Sequence, residues 1–221
     1  MKESEQPFQF VTAPFLSRIN NQVAGTLSEL CDGIDHASDG SIFYHTFQTL
    51  GRNHFLTEGF SNDFAQWVLA ALNRASLAER LGGIDVRDYL SIAELRADLV
   101  RMIQEHCEAE PRDADLSAFE TFYFCESVEV RAPLDLTARN LEEFRNGIAH
   151  ISHASFYHHF IASRLRLQLK TNDFSYWLEN NLEMPDLARQ CNRIDIYAHT
   201  LDTARQAMLR TIDQDLKYAH N

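Results

Sequence analysis

The sequence predicts a mainly α-helical protein of two similar multi-helix units, each giving one short β-strand to a pairing at a pseudo-two-fold. Three observations predict it. Motifs return in one order, helix-start signals recur through both halves, and each half opens on an aromatic, β-branched stretch. Phe43-Tyr44-His45-Thr46-Phe47 is answered by Phe156-Tyr157-His158-His159-Phe160, and Asn62-Asp63-Phe64-Ala65-Gln66-Trp67 by Asn172-Asp173-Phe174-Ser175-Tyr176-Trp177. Leu77-Ala78 and Ile84-Asp85 return as Leu187-Ala188 and Ile194-Asp195, while Ala13-Pro14 and Gly33-Ile34 return as Ala132-Pro133 and Gly147-Ile148. Fixed order, with both tryptophans included, points to a tandem duplication.

The elements follow from local chemistry. Residues 7–12 and 121–130 are rich in aromatic and β-branched side chains and read as strands ending at Pro14 and Pro133. Two lone strands are marginal, so the expectation is that they pair with each other. Capping boxes at Thr26–Glu29, Ser76–Glu79 and Ser91–Glu94 open helices, and Pro185 suits the first turn of another. Leu95, Leu99, Met102 and Ile103 keep helical spacing, as do Leu201, Ala204, Met208, Leu209 and Ile212. The stretch 108–118, acidic with Pro111, reads as a linker between residues 1–107 and residues 119–221.

Composition excludes several classes. A net charge of −12 over 221 residues repels phosphate backbones, which argues against nucleic-acid binding. Met1–Gln6 lacks the apolar run of a secretory leader and no stretch approaches membrane length, so neither a leader nor a membrane span is expected. Cys31, Cys107, Cys125 and Cys191 are scattered, so a disulfide or zinc framework is not expected, and the chain reads as reduced and cytoplasmic. Phosphate loops and nucleophile elbows are missing from its motifs, and no catalytic residue is assigned.

The candidate ligand site rests on the repeated residues. Tyr44, His45, Tyr157 and His158 offer donors, Arg52 and Arg164 follow the Tyr-His helices, and Trp67 and Trp177 stand behind them. A packing account competes: Phe43/Phe47 and Phe156/Phe160 form stripes that bury a helix face. Asp63 and Asp173 precede helical runs and read as N-caps rather than as an acid–base pair. The histidine-rich stretch supplies an alternative, with His150, His153 and His158 holding zinc or another divalent ion in a metal-dependent hydrolase. No motif such as His-Glu-x-x-His completes that set.

Three segments, the strand-like Phe122–Val130 before Ala132-Pro133, Ser155-Phe156-Tyr157-His158 and Asn172-Asp173-Phe174-x-x-Trp177, resemble an uncharacterised prokaryotic family of unknown function. The resemblance implies a duplicated, mostly helical domain and carries over no activity. The resulting expectation is a non-enzymatic binding or regulatory module for a protein partner or small metabolite at the repeat interface, without a cofactor. A homodimer is compatible with it.

Overall fold

Phe8 and Phe10 stand two residues apart, so an extended chain puts both rings on one face, and both are buried. In the computed structural model, which describes residues 2–48, 60, 62–195 and 200–219, four strands occur: β1 (Phe8–Thr12), β2 (Phe15–Ala24), β3 (Phe122–Glu129) and β4 (Ala132–Ala138). The helices are α1 (Leu27–His36), α2 (Asp39–Phe43), α3 (Asp63–Leu72), α4 (Ala75–Gly82), α5 (Ile92–Ala109), α6 (Leu141–His150), α7 (His153–Tyr157), α8 (Ser163–Arg166), α9 (Asp173–Asn180), α10 (Pro185–Asn192) and α11 (Leu201–Ala219). The fold is thus mainly helical with short antiparallel strands. No helix among the described residues is long and apolar enough to cross a membrane.

The chain divides into two compact units, Met1–Phe15 with Glu129–Asn221, and Leu16–Val128. The acidic stretch 108–118 therefore lies inside the second unit. There it is tied down: Arg74 holds Asp113 through two hydrogen bonds of 2.6 and 2.7 Å, and Ala118 N donates to Gly25 O.

The strands pair differently from the sequence expectation. β1 runs antiparallel to β4, with Phe8 opposite Ala138, Gln9 opposite Thr137, Val11 opposite Pro133 and Thr12 opposite Ala132. A bulge separates Gln9 from Val11. β2 pairs with β3 in the other unit. The expected pairing of the two aromatic strands with each other is therefore overturned. Physically, Phe8/Phe10 and Phe122/Phe124 each need a helical layer to cover one face, and each finds it in its own unit. β3 ends at Glu129, short of Pro133 as expected, while Pro133 itself falls in β4, because in a two-stranded ladder every strand has an open edge that tolerates a missing donor.

In the first unit the Phe8 ring lies 5.2 Å from Phe144 and 5.8 Å from Trp177, edge to face. Phe10 presses on α6 at Gly147, where an added Cβ would fall 2.2 Å from its ring. In the second unit Phe122 lies 5.4 Å from Phe64 and 5.8 Å from Trp67. Phe124 meets Gly33 of α1, where a Cβ would fall 2.4 Å away. Each fully buried ring contributes about 1.5–3 kcal/mol through removal from water.

Helix starts are set by Asn62 and Asn172, whose side chains accept from Ala65 N and Ser175 N. Asp63 and Asp173, expected as caps, are instead the first helical residues and are left for other partners. Ser76 lies within α4, whose N-cap is Arg74 without a side-chain bond, so that expected box does not form.

Candidate functional site

After α2 and after α7 the chain widens into a π-helical turn, Tyr44–Gln48 and His158–Ala162. Such turns shift the side-chain register by one residue and are frequent at functional sites. Each presents a buried histidine to its unit's aromatic strand. His159 Nδ1 lies 2.9 Å from Asp173 Oδ2, and its Nε2 accepts from Val11 N at 2.9 Å. His45 Nδ1 lies 2.8 Å from Asp63 Oδ2, and its Nε2 accepts from Cys125 N at 2.9 Å. A backbone N–H can only donate, so each Nε2 bears a lone pair and the ring proton sits on Nδ1, pointing at the carboxylate.

The matching partner of His45 is thus His159, and Tyr44 stands where the other unit has His158. This corrects the one-residue alignment of Tyr44-His45 with Tyr157-His158. The spacing from Gly33 to His45 equals that from Gly147 to His159, and the shared Tyr-His dipeptide is out of step with it.

Electrostatics support a neutral ring. Burial lowers the His159 pKa below its ordinary value, more than the Asp173 hydrogen bond and charge raise it. Burial works to raise the Asp173 carboxyl, yet the His159 hydrogen bond and the Arg166 charge outweigh it and hold the group below the usual carboxylate range. Arg166 Nη2 donates to Asp173 Oδ1.

Beside this pair opens a cavity of about 300 Å³. Its walls include His158, His159 and Asp173, the cations Arg131 and Arg166, and Trp177. Gln6, Asn181 and the half-exposed Tyr176 line it as well. The walls are held by the fold: Trp177 Nε1 donates to Gln6 O at 2.9 Å, Gln9 Nε2 to Leu134 O at 2.6 Å, and Ser155 Oγ to Val11 O at 2.6 Å.

The expected site residues are distributed as follows. His158 and Trp177 line the cavity. Tyr157 is buried, and Arg164 is turned inward, donating to Asn192 Oδ1 at 3.0 Å with its guanidinium 5.7 Å over the Phe160 ring. In the other unit Tyr44 donates to Ser17 Oγ at 3.0 Å, and Trp67 Nε1 to Glu120 O at 2.8 Å. Arg52 lies outside the described residues.

The histidines expected to share an ion are held apart in separate bonds. His150 Nδ1 donates to Asn146 O at 2.7 Å, and His153 Nε2 lies 2.5 Å from Asp202 Oδ1. Among the described residues, the group that converges is His158, His159 and Asp173, with ligand-type atoms within 4.8 Å of one another. Both nitrogens of His159 are already engaged, one giving its proton and one taking Val11 N–H, so an ion there would have to break that lock.

Sequence reasoning reads Asp173 as a cap, and does not place Arg131, Arg166 or the Gln6–Gln9 stretch at a site. A signal existed for the first: an acidic residue after the helix-capping asparagine, paired in both halves with an upstream histidine. The strand residues carried none, because nothing local says which helices a strand will lie on.

Residues 5–213 match a family of unknown function, DUF5752. The solved structure of OrfY from Thermoproteus tenax is similar, with a TM-score of 0.84 and 29% sequence identity over 96% of this chain and 97% of that one. No curated protein matches the sequence.

Proposed function

We propose that this chain, which belongs to the DUF5752 family of unknown function, is a non-enzymatic binding module whose ligand is a small metabolite held beside His158 and Trp177. One observation carries the reading. The cavity draws its walls from five stretches, namely Gln6–Val11, Arg131, the π-helical turn, Arg166 of α8, and α9 with Asn181 just after it, and side-chain-to-backbone bonds fix three of them. A pocket preorganised in this way takes a ligand with little ordering cost.

The arrangement favours binding over catalysis. The His159–Asp173 pair resembles a base with its orienting carboxylate, yet Nε2 faces a backbone amide rather than the cavity. It acts as a clamp on β1.

We read the two units as products of a tandem duplication with a pseudo-two-fold relationship. The support is the set of recurring contacts: His–Asp, His to strand amide, tryptophan to the carbonyl two residues before the strand, and glycine under phenylalanine. On this reading the ligand-binding role belongs to the unit with His158, since Tyr44 in the other unit spends its hydroxyl on Ser17. The four cysteines held as thiols fit a reducing cytoplasm.

Native mass spectrometry of protein purified without chelator tests the reading, followed by a ligand-observed NMR screen of pooled metabolites. The expected result is an organic adduct or a binding metabolite whose signal is lost in Tyr176→Arg, which adds bulk and charge at a half-exposed lining position. A stoichiometric metal ion released by His158→Ala would overturn it in favour of the metal-dependent hydrolase. Failure of every pool would overturn it in favour of a module for a protein partner.

A further inference from the structure

Two-stranded ladders have open edges, and the two ladders of this chain treat theirs differently. β4 carries Pro133 and the exposed Asp135, both of which discourage a further strand. β2 is ten residues long and holds no proline, no lysine and one charge, Arg18, which is paired with Glu126. The far edge of β3 is occupied at Cys125, whose N–H donates to His45 Nε2. Along Arg18–Ala24, by contrast, no backbone hydrogen bond beyond the ladder with β3 occurs among the described residues. An open strand of this length is a template for another one.

Its side chains define what the template fits. From Ile19 to Ala24 exposure alternates with period two. Ile19, Asn21 and Val23 face solvent, while Asn20, Gln22 and Ala24 turn toward their own unit, where Gln22 Nε2 donates to Gly33 O of α1 at 3.0 Å. On β3, Tyr123 stands between the buried Phe122 and Phe124 and faces outward as well. The solvent face is therefore apolar, with Ile19 65%, Val23 49% and Tyr123 54% exposed. The outward residues of the other ladder are polar by comparison: Gln9 opposite Thr137, with Asp135 beside them. Charge narrows the partner. Gln6–Ser28 contains no aspartate or glutamate in a chain of net charge −12, so the strand attracts no basic segment and lets a second acidic copy approach without carboxylates facing each other. The strand is also self-complementary. Two copies paired antiparallel about Asn21 set Ile19 opposite the partner's Val23, Asn20 opposite the partner's Gln22 and Arg18 opposite the partner's Ala24.

We infer that β2 is a homodimer interface, in which two copies pair their β2 strands antiparallel across a two-fold axis at Asn21. The product is a four-stranded sheet in the order β3-β2-β2-β3, with the apolar face continuous across the seam. The inference goes beyond the ligand reading and does not depend on it. Seven paired residues, about 23 Å of strand, form a narrow seam below the roughly 800 Å² per partner of a standard interface, so the dimer is reversible.

Sedimentation velocity of the full chain between about 1 and 500 µM decides it. The expected result is a shift from monomer to dimer with concentration, half complete at about 10–100 µM. Ile19→Lys/Val23→Lys sets lysine opposite lysine on both sides of the axis and is expected to weaken association at least about tenfold. Ile19→Lys/Val23→Glu sets lysine opposite glutamate in the same register and is expected to keep the dimer. Both pairs of substitutions fall on exposed positions, so unchanged thermal melting of the dilute monomer is the check on folding. A wild type that stays monomeric at every concentration would overturn the inference and leave the edge to a different protein. A dimer that survives the two lysines would overturn β2 as the interface. Loss of the dimer in both variants would overturn the antiparallel register about Asn21.

Discussion

His159 Nδ1 donates to Asp173 Oδ2 across 2.9 Å, and this one bond fixes the ring so that Nε2 can receive Val11 N–H. The bond lies between a π-helical turn and the first residue of α9, and through it a strand from the start of the chain is clipped onto helices well over a hundred residues away. Protonating Nε2 would set two donors against each other. The surroundings oppose that change: burial, His158 and Arg166 all lower the His159 pKa, and only Asp173 raises it.

The pH dependence follows in sign. A histidine pKa depressed in the folded state means that the unfolded chain takes up protons first as pH falls. The full stability is present above the ordinary value of 6.5 and is lost as pH drops from there through the folded pKa. Asp173, also depressed, adds a second loss below the ordinary value of 3.8. Melting temperature is therefore expected to decline on acidification from pH 6.5, with a smaller slope in His159→Asn. Equal slopes in the two proteins would show that the ring does not carry the effect.

Arg205 leads to a prediction of the opposite sign. Its Nη1 donates to Ile151 O at 3.0 Å, while Nε and Nη2 are buried without an acceptor among the described residues. In the other unit Arg96 occupies the comparable place: Nη1 serves the carbonyls of Ile34 and Asp35, and Nη2 donates to Asp39 Oδ1 at 2.6 Å. Asp39 is the first residue of α2, and the first residue of α7 is His153. His153→Asp would supply the missing acceptor and place a negative charge at a helix N-terminus. A gain of about 1 kcal/mol, or roughly 2–4 °C in Tm, is expected from thermal unfolding. A fall in Tm would mean that the His153–Asp202 contact is worth more than the new pair.

Gly147 tests the seat of the strand. Alanine there would place a methyl group 2.2 Å from the Phe10 ring, which is more than that ring can yield without moving β1. The overpacking costs about 1–3 kcal/mol, less a helix-propensity gain of up to about 1 kcal/mol. Urea unfolding should show Gly147→Ala destabilised and Gly147→Ala/Phe10→Leu partly restored. Additive losses in the double variant would place the strain elsewhere.

Part of this architecture can be read in the sequence, and the reasons for the remainder are physical. Thr26 and Ser91 cap helices as expected, with Glu29 and Glu94 reaching back to Gly25 N and Leu90 N, because a capping box closes within five residues. The burial of Trp67 and Trp177 also follows from helical spacing with Phe64 and Phe174. Strand partners do not follow, since period-two alternation says that one face is covered and is silent on what covers it. The His–Asp pairs were hidden for a related reason: 18 residues separate His45 from Asp63 but 14 separate His159 from Asp173, so no constant spacing marks them. The Tyr-His identity places the alignment one residue off, and the contacts at Asp63 and Asp173, together with the equal spacing from Gly33 and Gly147, correct it. Of the expected ligand residues, His158 and Trp177 reach the cavity; Arg131 and Gln6 are illegible because they sit in the irregular segments that lead into β4 and β1, which no local periodicity marks.

The strand assignment itself has a decisive consequence. Phe10 is fully buried and touches Phe8, Phe144, His159 and Gly147, all within the unit formed by Met1–Phe15 and Glu129–Asn221. Phe10→Ala therefore removes a ring from the core of helices far downstream in sequence, at a cost of about 3–5 kcal/mol. Hydrogen exchange locates that cost, because local stability is read amide by amide. Protection is expected to fall in Leu141–His150 and Asp173–Asn180 while Leu27–His36 keeps its own. The mirror substitution, Phe124→Ala, should reverse the pattern, since Phe124 lies 6.4 Å from Phe64 and against Gly33. If Phe10→Ala instead exposed α1 and α3, the N-terminal strand would belong to the helices that follow it directly.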